Sequence, residues 1–248
     1  MADYLLVHGA MHGGWCWRQV RDLLTRHGHR VLAPSLTGQG EHRRRLTPEV
    51  GVATHVDDLT DLLWYEDLTD VRLVLHSYAG ILAGPVAERA GDRLAAVVFL
   101  GAFVVRPGQC LLDVEPPDVA RRYRERVAEA GSGWYLLADA SFLAQWGVRD
   151  ERLRAWAGPR LTDFPFRCQT DPVHFDPRPL DALRKVYVQH TEPFLPSLQP
   201  SLDAARAGGW DIRTIPCGHD MMLEAPEATA RLLEAASGPP PSPGPDRP

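Results

Sequence analysis

A chain of 248 residues, 44% hydrophobic and 24% charged, carries enough apolar material for one domain with a complete core. Its net charge of −5 gives no electrostatic basis for nucleic-acid binding, and no apolar run approaches the roughly 18 residues of a transmembrane helix, so neither nucleic acid nor membrane is an expected partner. Cys16, Cys110, Cys168 and Cys217 are scattered without a C-x-x-C pair, which removes metal-ligand spacing and argues against a disulfide framework.

In chain order, the apolar run "YLLVHG" (4–9) suits a buried parallel strand, and no basic n-region precedes it, so a cytoplasmic location is expected. "WCWRQVRDLLTRHG" (15–28) spaces Trp17, Val20, Leu23 and Leu24 for a helix stopped by Gly28. "HRVLAPSL" (29–36) reads as strand, and "THVDDLTDLLWYE" (54–66) as a helix with Thr54 as N-cap. "VRLVLHS" (71–77) and "LAAVVFLGAF" (94–103) predict strands on either side of a proline-bearing helix, 79–92. The rhythm breaks over 107–180, where prolines and aromatics surround helices near 118–130 and 138–147. It resumes with a strand at 184–190, a helix near 197–207, a strand at 210–216 and a helix at 225–236. This alternation predicts an α/β fold with a mostly parallel sheet covered on both faces: a core of 1–106 and 181–236, a cap subdomain of 107–180, and a disordered Pro-rich tail, 237–248.

Three loops at predicted strand ends carry chemistry-bearing residues. "VLHSYAGI" turns directly from strand to helix at Ser77, which would lift the Ser77 hydroxyl above the sheet edge with the Tyr78 N–H beside it. Leu75 and Ala79 stand where a G-x-S-x-G turn has glycine. "VHGAMHGGW" (7–15) exposes backbone around Ala10, whose N–H can join that of Tyr78 as an oxyanion donor. "CGHDMMLEAPE" (217–227) presents His219 as the general base for Ser77. His76 reads as a packing residue and His12 as a local hydrogen-bonding one. Asp220 adjoins His219, but adjacent side chains diverge, and His190 lacks the negative charge an orienting acid needs.

The segments "LLVHGAMHGGWCW", "TGQGEHRRRLTPEV", "WYEDLTDVRLVLHSYAG", "FVVRPGQ" and "CGHDMMLEAPE" resemble the hydroxynitrile lyase and plant methylesterase (salicylate-binding esterase) branch of the α/β-hydrolases, including bacterial members, over about residues 4–236. The resemblance implies the α/β-hydrolase fold with a small cap inserted after the sixth-strand equivalent, a small-molecule substrate, no cofactor and no metal, and a homodimer as one assembly seen among relatives. It implies Ser77 as nucleophile, His219 as base, and Ala10 and Tyr78 as oxyanion donors. The chain departs from the family at Gly101, where relatives often have Asp, and in "VQHTEPFLPSLQ", where the family aspartate aligns with Thr191 or Pro193. Glu192, between them, is the only carboxylate in that loop and the expected triad acid.

The expected activity is cofactor-independent serine hydrolysis of a small to medium apolar ester. The alternatives are a lyase or cyclase acting on an aromatic or polyketide-like intermediate with the same Ser and His, and a non-catalytic small-molecule-binding protein. Lys185, the only lysine, precedes a core strand and is poorly placed to assist cyanohydrin cleavage.

Overall fold

Alternating strands and helices build a six-stranded, all-parallel sheet in the computed structural model, which describes residues 1–237. The strands are β1 (Asp3–Val7), β2 (Arg30–Leu32), β3 (Val71–His76), β4 (Leu94–Leu100), β7 (Arg184–His190) and β8 (Asp211–Ile215), in the order β2-β1-β3-β4-β7-β8. A separate antiparallel pair, β5 (Tyr135–Leu136) and β6 (Phe164–Pro165), lies in the segment between β4 and β7. The central strands are buried on both faces, which is why they read as unbroken apolar runs.

The helices joining the strands are α1 (Arg18–Arg26), α2 (Val52–Tyr65), α3 (Ala83–Ala90) and α9 (Gln199–Ala207), and α10 (Met221–Glu224) and α11 (Pro226–Ser237) follow β8. Between β4 and β7 run α4 (Pro117–Ala130), α5 (Ser141–Gln145), α6 (Glu151–Ala157), α7 (Arg167–Thr170) and α8 (Pro177–Ala182). Helix α2 buries Val52, Val56, Leu59 and Leu63, a stripe at helical spacing. It begins two residues before the expected Thr54: Gly51 is the N-cap, and Thr54 Oγ1 instead accepts the Gly51 N–H at 3.4 Å. Pro85 falls in the first turn of α3. The expected tail lies outside the described residues, apart from Ser237 at the end of α11.

The chain places β2 on one side of β1 and β3 on the other, so the winding direction reverses between β1 and β3. In an open parallel sheet, that reversal opens a crevice beyond the strands' carboxyl ends. Register aligns Val7 with Leu75 and Leu75 with Phe99, which sets the loops after β1, β3 and β4 side by side at that edge. Among the described residues, no helix is long and apolar enough to cross a membrane.

Candidate active site

Ser77 leaves β3 in a left-handed conformation, φ 54°, and opens a 3-10 turn, Ser77–Leu82, that runs into α3. A non-glycine residue pays for such a φ, and here the strain turns the hydroxyl out over the sheet edge. The glycines this turn requires lie elsewhere than G-x-S-x-G predicts. A Cβ on Gly9, in the loop after β1, would stand 2.8 Å from Ser77 Cβ, and one on Gly80 would stand 2.2 Å from the Phe103 carbonyl oxygen. Leu75 meets no such constraint: it is fully buried in β3, a placement that stabilises the strand by about 2 kcal/mol.

His219 Nε2 lies 2.9 Å from Ser77 Oγ. The imidazole is buried, and its backbone N–H donates to the Trp146 carbonyl at 2.6 Å, so residues after α5 hold the loop that carries it. Burial, together with the neighbouring His76, His190 and His12, pushes His219 well below its ordinary pKa, leaving it a free base at neutral pH.

The structure does not bring Glu192 to this pair. Its carboxylate bonds the Arg149 guanidinium at 3.1 Å on the surface, and His219 Nδ1 has no hydrogen-bond partner. The loop after β7 turns outward because its backbone pairs with the β8 side: the N–H groups of Thr191 and Glu192 donate to the carbonyls of Ile215 and Cys217. His219 Nδ1 instead faces Gly101, where an added Cβ would lie 3.2 Å from it and 3.0 Å from His190 Nδ1.

A cluster of buried imidazoles that the motifs did not single out surrounds His219. The His76 and His190 ring centroids lie 4.6 and 4.9 Å from that of His219, and His76 Nε2–H donates to the His219 carbonyl at 3.0 Å. Burial lowers both to about 4, so each is neutral. Asp220 is fully buried, with its carboxylate 3.3 Å from His12 Nε2 and 4.0 Å from His76 Nε2. Burial alone would lower His12, but the Asp220 charge outweighs it and raises the pKa. Asp220 thus diverges from His219 and is compensated by His12. The signal was in the sequence: residues 8, 76, 190 and 219 are histidines at or just beyond the ends of β1, β3, β7 and β8, and parallel strands bring those ends together.

Hydrogen bonds hold the two expected oxyanion donors from behind. His8 Nδ1–H donates to the Gly9 carbonyl at 2.8 Å while its Nε2 accepts the Leu36 N–H at 3.0 Å. His12 Nδ1–H donates to the Ala10 carbonyl at 2.8 Å, and the Thr162 N–H bonds the carbonyl of Met11, itself at φ 65°. The Tyr78 hydroxyl donates to His55 Nδ1 at 2.9 Å, and His55 Nε2–H donates to the Thr37 carbonyl at 2.9 Å. His55 had no role visible in the sequence; it anchors the ring of the residue that follows the serine.

Ala10, Ser77, Tyr78 and His219 line one narrow cavity with Phe103, Leu111, Glu115, Tyr123, Trp146 and Gln169. Tyr123, Trp146, Leu195 and Ser197 also line a wider cleft of about 510 Å³ that continues outward beneath α4. All four cysteines are free and buried, and among the described residues no group of His, Cys, Asp and Glu could hold a metal ion. Lys185 Nζ bonds the Leu180 and Asp181 carbonyls, each at 2.9 Å, at the start of β7 and thus at the opposite end of the sheet from this site.

Comparison with known proteins agrees with this architecture. The model of the "Alpha/beta hydrolase family" matches residues 4–232. A carbendazim hydrolyzing esterase from a Nocardioides species is 30% identical over 241 residues, 95% of this chain and 99% of that protein. Salicylic acid-binding protein 2 from Nicotiana tabacum is 36% identical over 104 residues, covering 41% of this chain and 39% of that protein. An extracellular α/β-hydrolase from a Paenibacillus species superposes with a TM-score of 0.81 at 20% identity, covering 95% of this chain and 99% of that one. Tomato methylketone synthase I gives 0.80 at 18% identity, covering 94% and 96%. With its parallel sheet, its serine on a strained strand-to-helix turn and a family match over nearly its whole length, this chain belongs to the alpha/beta hydrolase family.

Proposed function

We propose that the protein is a cofactor-independent serine hydrolase that cleaves a small to medium, largely apolar ester, with Ser77 as nucleophile and His219 as base. The observation that carries this reading is the 2.9 Å contact between His219 Nε2 and a Ser77 hydroxyl raised on a left-handed turn. His219 takes the Ser77 proton as Oγ attacks the carbonyl carbon, then returns a proton to the departing alkoxide. The N–H groups of Ala10 and Tyr78 receive the developing oxyanion, and a water activated by the same imidazole releases the acyl group. The full-length Nocardioides relative and several plant relatives carry esterase names, which supports an ester as substrate.

The imidazolium formed during attack has no carboxylate on Nδ1, and losing that partner costs serine proteases about 10⁴ in kcat. This favours activated or intrinsically reactive esters as substrates. It also supports a second reading, in which Ser77 and His219 act as acid and base in a lyase or cyclase without an acyl-enzyme. A fluorophosphonate probe with an activated aryl ester separates the two. Labelling of Ser77 with ester turnover, both lost in Ser77→Ala, supports hydrolysis. Labelling without turnover of any ester supports the second reading.

A further inference from the structure

Two buried polar side chains facing the reacting centre have roles that the catalytic steps leave unused. Glu115, in the bend before α4, is 8% exposed, and Gln169, on α7, is 4% exposed. Both line the cavity that holds Ser77 and His219. Ser197 acts on the Glu115 carboxyl to lower its pKa, while Glu115 Oε2 and the Gln169 side-chain oxygen have no hydrogen-bond partner. Burying an acceptor without a donor costs about 1–3 kcal/mol, and here two residues with such an acceptor line one cavity. That pattern suits a site whose missing donor arrives with the ligand.

We propose that Glu115 and Gln169 form a donor-binding subsite beside the nucleophile, and that the ester cleaved there carries an N–H group directed at it. The inference rests on the ester-hydrolase reading and sharpens it, since a wholly apolar substrate would leave both acceptors stranded. An N–H donor fits better than a carboxylate or phosphate, which Glu115 would repel. Arg122 and Asp118, both on α4, act on Glu115 in opposite directions, and neither is hydrogen-bonded to it. Burial pushes Glu115 up to about 7, so the carboxylate becomes a full acceptor as pH rises through neutrality. A site built to bond a donor rejects an analogue lacking it far more strongly than an apolar pocket rejects a missing methylene.

The test uses the 4-nitrophenyl esters of N-acetylglycine and N-acetyl-N-methylglycine, which differ at the N–H. The wild-type protein at pH 8 is expected to favour the N–H ester in kcat/KM by about 10-fold or more. Glu115→Leu should bring the ratio near one, and the isosteric Glu115→Gln should keep part of it. A wild-type ratio of one, or a ratio unchanged in Glu115→Leu, overturns the subsite. Absence of turnover and of Ser77 labelling would sink the hydrolase reading instead. In that case, calorimetric titration of Ser77→Ala with N-acetylglycine anilide and its N-methyl counterpart decides the subsite alone. Tighter binding of the N–H compound upholds it, and equal affinity overturns it.

Discussion

The loops after β1 and β3 differ sharply from the loop after β7, although all three leave the same sheet edge. The first two are enclosed: Gly9 presses on Ser77, His8 and His12 hold the carbonyls of Gly9 and Ala10, and His55 holds Tyr78. The third runs outward and gives its one carboxylate, Glu192, to Arg149 at the surface. In the proposed hydrolase, the residues that would meet a substrate's carbonyl group are thus held by several contacts each, while His219 Nδ1 has no carboxylate beside it. Positioning is concentrated on the Ser77 side of the imidazole, and the other side is left to buried, neutral rings.

The contrast can be broken most forcefully at the enclosed side. Ser77→Ala is expected to lower kcat by at least about 10⁴ with folding intact, read by ester turnover alongside a thermal melt. Next comes Gly101→Ala, whose Cβ would stand 3.2 Å from His219 Nδ1 on a backbone at φ 53°. Displacing the base should cost on the order of 10² in kcat with less change in KM. Unchanged kcat there would mean that the imidazole tolerates crowding on its unpartnered side.

Glu115 gives a stability signature. Its folded pKa is raised from 4.5 to about 7, so the folded chain holds this proton more tightly than the unfolded one. The contribution is complete below about 4.5 and is lost as pH rises through about 7, amounting to about 3 kcal/mol in full. Denaturant midpoints from pH 4 to 8 should fall less steeply in Glu115→Gln, and an identical slope would remove Glu115 as the source. The smallest effect belongs to the open side. Glu192→Gln breaks a pair whose side chains are 45% and 65% exposed, so stability should change by less than about 1 kcal/mol and kcat by less than about twofold. A large kcat loss would show that the loop after β7 folds inward during turnover.

Local pattern carried the strands and the strand-to-helix turn at Ser77 well. "LVLHSYAG" announces a strand meeting a helix at a serine, and the glycine-rich loop after β1 announces exposed backbone, because both are written in neighbouring residues. The route by which Leu75 and Ala79 are accommodated could not be seen there. The close approach is made by Gly9, from another strand, and by Gly80 against Phe103. Glu192 illustrates the same limit from the other direction. Composition offered one carboxylate in the right loop, yet the direction of that loop depends on Ile215 and Cys217, more than twenty residues away. The imidazole cluster was legible one residue at a time, but its members come from four strand ends that only the sheet order brings together.

Trp146 ties these regions together through one bond, its carbonyl accepting the His219 N–H while its ring stacks on Phe142 and leans on His12. The proposed base is therefore held in part by the segment between β4 and β7. Anyone exchanging that segment for one from a relative, to redirect specificity, would also cut the tether of the imidazole. Variation confined to side chains of α4, with the backbone around Trp146 left alone, is the route that separates choice of substrate from upkeep of the catalyst.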